Sequence, residues 1–488
     1  MTLRKLAILA MALPGIVGFI ACNSEYESNI MTASSTAIKS FSLTKDDSVV
    51  AHLDSVFFSI DLNKGLIFNA DSLPYGTDVS KLIPVITTLE TASAVTLTVT
   101  RTNGTDTTFN YLSNSTDTID FTNPVKLRVV SYDGLKSSDY TVYVNVHKMV
   151  SDSLTWVENN KSALPTNLGT PAAQHTVTYN GSYYCMTTDG TTYNLSEYTP
   201  TTDVTNGPGM QLDRWNTGSI EFPFIPQVES FAATDDAFYI LSDDGTLYTS
   251  SDMGRTWEST SKTWHYIYGK YGDEILGSVQ SPNGWYVEGY PSGKQIKLPE
   301  EMPVEATSMP VSYTFPMSGI EQIVIVGGKM ANGDLSAQTW GYDGTSWAAI
   351  AKRQLPERLE NIAVGMYFSF KTLSSWNTIT YPTLLAIGGK NSEGIVSPKV
   401  YISNDYGVNW AEASDEMQLP EYISPVFGAQ IFVVDSYFSS TIQPKVVKPI
   451  ETWACPYIYL MGGYDSNNSF QNVIWRGVIN RLSFKPIE

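Results

Sequence analysis

Ser250-Ser251-Asp252-Met253-Gly254-Arg255-Thr256-Trp257 and Ser403-Asn404-Asp405-Tyr406-Gly407-Val408-Asn409-Trp410 are two copies of one pattern, Ser-x-Asp-x-Gly-x-x-Trp. Each position has a physical use in a turn. The Asp carboxylate accepts backbone N–H groups, the Gly permits a positive φ, and the Trp covers the hairpin. A chain that repeats such a turn at the end of short apolar runs is repeating a unit of sheet.

The unit recurs six times as an apolar strand, a second apolar strand, a Gly-centred turn and an aromatic-rich strand. The second strands read Tyr183–Met186, Phe238–Leu241, Glu274–Gly277, Ile323–Val326, Leu384–Ile387 and Tyr457–Leu460. Units of this length suit four-stranded blades with variable loops, so residues 150–488 are expected to form a six-bladed β-propeller. The two turns resemble Asp-boxes, with Ser250, Asp252, Gly254, Trp257, Ser403, Asp405, Gly407 and Trp410 in structural roles. The pairs Gly327-Gly328, Gly388-Gly389 and Gly462-Gly463 resemble kelch blades, where glycines let neighbouring backbones approach. No Gly-x-Gly-x-x-Gly opens a helix here, which excludes a dinucleotide reading of these pairs.

The way the ring closes is also legible. Trp347 is followed by Leu355-Pro356 and Trp410 by Leu419-Pro420, and Trp156 followed by Leu164-Pro165 repeats the signature before the first unit. Ser153 to Val157 is therefore expected to be the outer strand of the last blade, latched onto the segment around Asn472 to Val478. Such pairing of the N-terminal and C-terminal propeller segments hides both sheet edges.

The 488 residues exceed one ordinary domain. Residues 37–149 form short alternating segments such as Ile38-Lys39-Ser40-Phe41-Ser42-Leu43, with a turn at Tyr132-Asp133-Gly134 and no helix of three turns. A sandwich of about seven strands is expected. Ile38-Lys39-Ser40-Phe41, Leu73-Pro74-Tyr75-Gly76-Thr77-Asp78, Leu82-Ile83-Pro84, Asp120-Phe121 and Tyr132-Asp133-Gly134 leading to Tyr140-Thr141-Val142 resemble the immunoglobulin-like (Ig-like) N-terminal domains of Bacteroidetes surface lipoproteins, where the domain is a spacer. The fold expected is all-β: an Ig-like β-sandwich, then the propeller.

The N-terminus sets the compartment. Arg4 and Lys5 precede an apolar stretch, Leu6 to Ile20, interrupted at Pro14-Gly15 and too short to span a bilayer. Residues 1–21 read as a signal peptide ending in Phe19-Ile20-Ala21-Cys22, which resembles the lipobox of bacterial lipoproteins, with Phe19 where Leu is usual. The resemblance implies acylation of Cys22 and an outer-membrane anchor; residues 22–36 are then a polar tether. Acidic residues after the Cys, Glu25 and Glu27, resemble a surface-export signal, favouring the cell surface over a periplasm-facing location. Cys185 and Cys455 lie at opposite ends of the propeller; a disulfide and two buried thiols both fit, and the reading adopted is two thiols.

Charge and composition exclude several functions. The net charge of −19 becomes −21 once Arg4 and Lys5 are removed, a surface that repels nucleic acid. Sialidases, which share Asp-boxes, place an arginine in Arg-Ile-Pro; here Phe224-Ile225-Pro226 puts Phe there. Galactose-oxidase-like copper chemistry needs two His beside two Tyr and a Cys, and the propeller has only His175 and His265. The Asp residues of Asp189-Gly190, Asp243-Asp244-Gly245 and Asp343-Gly344 are explained by turn duty. No catalytic constellation, metal site or cofactor is expected. A binding or scaffold role through the propeller face follows, with Trp264, Tyr266, Trp285, Tyr286, Trp340 and Trp376 as candidate stacking residues for a glycan; packing between blades is the competing use of each ring. A carbohydrate-active enzyme and a structural subunit with an envelope-protein partner remain open. Taken whole, the chain resembles Bacteroidetes lipoproteins in which an Ig-like domain precedes a kelch/Asp-box propeller.

Overall fold

The computed structural model describes residues 35–69, 72–100, 105–147, 150, 153–156, 158–200, 214–306, 309–315, 318–372, 378–435 and 456–480. The protein is all-β. Among the described residues the only helical pieces are single 3₁₀ turns at Leu53–Ser55, Glu158–Asn160 and Asp415–Met417, and no helix is long and apolar enough to cross a membrane.

The N-terminal domain contains β1 (Ile38–Leu43), β2 (Ser59–Asp61), β3 (Leu66–Phe68), β4 (Pro84–Thr88), β5 (Ala92–Thr100), β6 (Asp106–Asn110), β7 (Val125–Ser131) and β8 (Ser137–Tyr143). β1 pairs with β4, and the others form one sheet in the order β2-β3-β8-β7-β5-β6. The alternating pattern dictates the faces: Val125, Leu127 and Val129 of β7 are buried while Lys126 and Arg128 are exposed. The inward residues meet Phe41, Phe58 and Phe121, with the Phe41 and Phe58 rings edge-on at 4.9 Å. Among the described strands of this domain, β3 and β8 are the one parallel pair, continued by a parallel bridge between Leu73 and Val146. Just beyond that pair, buried Asn69 and Asn145 exchange three hydrogen bonds of 2.6–2.9 Å between side chain and backbone, satisfying polar groups that burial alone would penalise.

Among the described residues six four-stranded antiparallel sheets follow. They comprise β10 (Ala173–Tyr179), β11 (Ser182–Thr188), β12 (Tyr193–Tyr198) and β13 (Asn216–Ile220); β14 (Pro226–Ala233), β15 (Phe238–Ser242), β16 (Thr246–Ser250) and β17 (Glu258–Thr263); β18 (Tyr266–Tyr271), β19 (Glu274–Ser281), β20 (Gly284–Tyr290) and β21 (Gln295–Lys297). Then come β22 (Val311–Thr314), β23 (Glu321–Val326), β24 (Thr339–Tyr342) and β25 (Trp347–Ala349); β26 (Ala363–Thr372), β27 (Thr378–Ile387), β28 (Val400–Ser403) and β29 (Ala411–Glu412). The last sheet holds β30 (Gln430–Asp435), β31 (Pro456–Met461), β32 (Ile474–Asn480) and, as its fourth strand, β9 (Ser153–Trp156) from the start of the domain. The six near-continuous apolar segments picked out from sequence all lie in second strands, which have sheet on both sides and neighbouring sheets on both faces.

Consecutive sheets share cores: Val177 and Met186 pack with Phe231 and Ile240, Leu241 with Ile267 and Ile275, Leu276 with Ile323, Val324 with Leu384, and Leu385 with Ile431 and Ile458. The last sheet packs on the first through Tyr459 and Met461 against Cys185 and Tyr198.

The pairing of β9 falls on Gly477 to Asn480, with Trp156 opposite Gly477 and Ser153 opposite Asn480. That is a few residues beyond the segment around Asn472–Val478 expected from sequence. Asn472 is engaged elsewhere, because its side-chain oxygen accepts the N–H of Leu164, and Ser162 bridges Ile474. Asn480 donates to the hydroxyls of Ser153 and Thr155 at 2.7 and 2.8 Å.

Both eight-residue turns form the same network. Ser250 Oγ donates to Asp252 (2.8 Å) and accepts from Gly254 N–H (2.9 Å), while Asp252 accepts from the N–H and hydroxyl of Thr256. Those bonds from Thr256 hold the Asp252 carboxyl down at about 2. Ser403, Asp405, Gly407 and Asn409 repeat it, and Trp410 donates to Thr339 Oγ1 of the preceding sheet at 2.8 Å. Gly407 has φ +88°, and a Cβ there would sit 2.8 Å from Thr339 Cγ2, so the position requires glycine twice over.

Trp156 is buried between β32 and the Asp415–Met417 turn region. Trp156→Ala is expected to destabilise the propeller by about 3–5 kcal/mol, from the lost transfer term and the cavity left behind. Urea unfolding of the whole chain followed by Trp fluorescence measures it; an unchanged midpoint would show that β9 is dispensable.

Candidate binding cavity and its rim

The first strands of the first four sheets surround a cavity of about 380 Å³. β10 contributes His175 to Thr178, β14 Glu229 to Ala233, and β18 Tyr266 to Lys270, with Met309, Pro310, Ser312 and Glu321 completing the wall. First strands line it because each sheet presents its first strand to the interior and its fourth to the outside. The lining is mixed: hydroxyls of Thr178, Ser230 and Ser312, the carboxylates of Glu229 and Glu321, one ammonium, and apolar Val177, Phe231 and Ile267.

Most of these polar groups already have partners. Lys270 is bonded to Asp235. Glu321 accepts from Ser312 Oγ (2.9 Å) and the N–H of Gly272 (3.2 Å). His175 is half-buried, and desolvation pushes its pKa down to about 4. Its Nε2 accepts from the Gln430 amide at 3.1 Å. Gln430 is wholly buried and bonds the backbone of Thr176 on both sides, accepting its N–H at 2.7 Å and donating to its carbonyl at 3.0 Å. The imidazole is therefore neutral, with its basic nitrogen occupied, which suits a fixed hydrogen-bonding wall and not a proton acceptor.

A rim made mostly of loop side chains, tied to the cavity through Glu229 of β14, stands beside it. It arises from the three Gly-Gly pairs. The residue after each pair, Lys329, Lys390 or Tyr464, bridges two chain segments: Glu305 and Leu335, Glu360 and Val396, or Phe427 and Phe470. The close approach needs glycine; a Cβ on Gly388 would overlap the Val426 carbonyl oxygen. Two sets of contacts form along these bridges. His265 Nε2 lies 2.9 Å from Glu305, and that bond holds the Glu305 carboxyl below its usual range. Lys390 lies 3.5 Å from Glu360 and 4.3 Å from the Phe427 ring centre, and Phe427 stacks on Tyr464. The Tyr464 hydroxyl reaches the Ala172 carbonyl and Glu229 at 3.0 and 3.1 Å; burial, then the Glu229 charge, keeps it protonated far above its ordinary value. Glu229 belongs to both cavity and rim.

The sequence candidates separate into groups. Trp264 and Trp340 are buried at 2% and 5% exposure. A Cβ on Gly277 would overlap the Trp264 ring, so that glycine exists to seat it, and Trp340 packs with Trp347 and Tyr268. These two rings serve packing between sheets and offer no face to a ligand, which corrects their place among the stacking residues. Tyr266 lines the cavity half-buried. Trp285 and Tyr286 are half-buried on β20, and Trp285 meets His265 edge-on at 5.1 Å. Trp376, Cys22 and Cys455 lie outside the described residues. Cys185 is a fully buried thiol, pushed up to about 12 by that burial, with Gln174 as its neighbour at 3.8 Å. The turn aspartates behave as turn residues: Asp189 accepts the N–H groups of Thr191 and Thr192, and Asp343 those of Thr345 and Ser346. Among the described residues no group of three or more His, Cys, Asp or Glu could hold a metal ion. The rim went unseen in the sequence, although Gly-Gly-Lys, Gly-Gly-Lys and Gly-Gly-Tyr mark it.

Residues 150–487 match the model of the DUF6242 beta propeller domain, and residues 30–144 match that of the domain of unknown function (DUF6242) N-terminal domain. No curated protein matches the chain. Solved structures similar to it include that of YjhT, 10% identical, spanning 63% of this chain and 95% of that one with a TM-score of 0.39. YCF48 bound to a D1 peptide is 12% identical over 76% of this chain and 89% of that one, with a TM-score of 0.30. YCF48 from Cyanidioschyzon merolae is 12% identical over 65% and 98%, with a TM-score of 0.28.

Protonating His175 has a measurable cost. Its folded-state pKa lies below the unfolded value of 6.5, so between pH 6.5 and about 4 the unfolded chain binds the extra proton and folding weakens as pH falls. The contribution lost over that window is about 3 kcal/mol. Urea unfolding at pH 7 and pH 4 is expected to show a fall for the native chain larger than that of His175→Gln by about this amount; parallel falls would refute it.

Proposed function

Since the chain belongs to the DUF6242 family, we propose that it is a binding or scaffold module of the bacterial cell envelope, with the propeller cavity and its rim as the recognition surface. In this reading Cys22 carries the acyl anchor at the outer membrane, facing the cell surface. An Ig-like sandwich is the spacer, and a six-bladed propeller closed by β9 is the working end.

The observation that supports binding over catalysis is the state of the cavity's polar groups. His175 has its basic nitrogen bonded to Gln430, Lys270 is paired with Asp235, and Glu321 accepts from Ser312 and Gly272. A site so arranged holds positions for a ligand's hydroxyls without a free base beside a nucleophile. Glu229, Tyr266 and Trp285, two rings and a carboxylate near the rim, form a combination that accepts hydroxyl groups and stacks on the flat face of a sugar. A neutral oligosaccharide is the ligand class that this acidic protein admits without charge repulsion.

A glycan array with the mature chain, followed by calorimetry on any hit, tests the reading. Trp285→Ala and Glu229→Ala are each expected to weaken binding by about tenfold, in chains that circular dichroism shows to remain folded. Binding that ignores both substitutions would move the site elsewhere. Release of shortened sugars would establish an enzyme instead, and an empty array with a stoichiometric envelope-protein partner would favour the scaffold role.

A further inference from the structure

Of the seven large apolar side chains more than half exposed in the described N-terminal domain, five lie at one end, while Phe57 and Tyr75 lie at the other. Leu62, Leu89, Leu112, Tyr132 and Leu135 are all more than half exposed, Leu135 at 84%. The strand registers bring them to one end. Ala92 faces Ser131, which sets the β4–β5 turn carrying Leu89 beside the β7–β8 turn carrying Tyr132 and Leu135. Leu66 of β3 faces Thr141 of β8, so the β2–β3 turn with Leu62 lies level with the start of β8. Tyr111 N–H donates to Val95, which brings Leu112 toward the first residues of β5.

Turn geometry does not ask for these side chains. Asp61 accepts the N–H groups of Asn63 and Lys64, and Asp133 that of Leu135, so the aspartates make the turns. The leucines add nothing to them. The same end receives the incoming chain: Ala37 accepts the N–H of Leu89, Thr36 Oγ1 lies 2.6 Å from Ser138 Oγ, and the Tyr140 hydroxyl donates to the Thr36 carbonyl. β8 begins here and runs away, and the chain leaves the domain past Val146, which bridges Leu73.

We propose that this end of the domain docks on the bilayer surface, with Leu62, Leu89, Leu112 and Leu135 in the upper acyl region and Tyr132 at head-group level. The inference rests on the acyl anchor proposed above, because residues 23–34 form the only link between Cys22 and this end. Twelve residues reach at most about 40 Å even when fully extended, so an acylated Cys22 keeps the leucines within that distance of the lipid, at high effective concentration. Apolar side chains on several loop tips are what an interface of graded polarity accepts, Tyr takes the head-group boundary, and Lys64 can extend toward the phosphates. Docking would fix β8 pointing outward and hold the propeller away from the membrane.

Hydroxyl-radical footprinting read by mass spectrometry tests this. The whole mature chain, acylated and in phosphatidylethanolamine vesicles, is compared with a Cys22→Ser chain free in solution. Oxidation at Leu62, Leu89, Tyr132 and Leu135 is expected to fall by about threefold or more on the vesicles, while Ile225, Ile320 and Ile395, exposed on the propeller, are unchanged. Leu89→Ser with Leu135→Ser should leave melting unaltered and abolish the protection of Tyr132. Equal oxidation in an N-terminally acylated chain overturns the docking and leaves the anchor standing. If the N-terminal peptide carries no acyl group, the anchor falls, and the free chain mixed with vesicles decides: protection keeps the docking and its absence removes it. Protection without vesicles that grows with protein concentration identifies a second copy as the occupant and also overturns it.

Discussion

The contact between the last sheet and the beginning of the propeller chain is the constraint on which the rest depends. It has two parts. On the outside, β9 supplies the fourth strand beside β32, with Trp156 and Leu154 filling a core shared with β26, β27 and β30. On the inside, Gln430 bonds both backbone groups of Thr176, joining the first strand of the last sheet to the first strand of the first. Without either part, apolar faces on two sheets would be left open to water.

The cavity inherits its properties from that seam. His175 sits one residue before Thr176, so the amide that closes the seam also fixes the imidazole facing the cavity. Stability and site chemistry meet in one glutamine. The rim is tied to the frame in the same way. Lys329, Lys390 and Tyr464 hold their positions because each bridges two segments, and each bridge depends on a glycine pair with both φ values positive.

Much of this frame is legible in the sequence because it is local. The Ser-Asp-Gly networks of the Ser250–Trp257 and Ser403–Trp410 turns lie within eight residues, and their side-chain hydrogen bonds to Asp252 and Asp405 join residues two or four apart. Second strands declare themselves by near-continuous apolar runs, since both faces are covered. What escapes reading is whatever several sheets assemble jointly. Trp264 and Trp285 look alike in a string of letters, yet Gly277 on the next strand buries one ring while the other stays half open. Glu229, Glu305, Phe427 and Tyr464 come from distant segments, so no spacing rule gathers them. Gln430 gives no signal, because its partners lie about 250 residues earlier in the chain.

The placement of β9 also sets an order on folding. Its partner strand lies more than 300 residues downstream, so the first strand of the propeller to leave the ribosome, and the first to cross a membrane if the chain is exported, must wait for nearly the last. Contacts so far apart in sequence are slow to form, and the chain spends that interval with an open sheet edge at each end. Assembly is thereby deferred until the C-terminal segment has arrived, and a chain cut short before Ile474 would keep both edges bare for good.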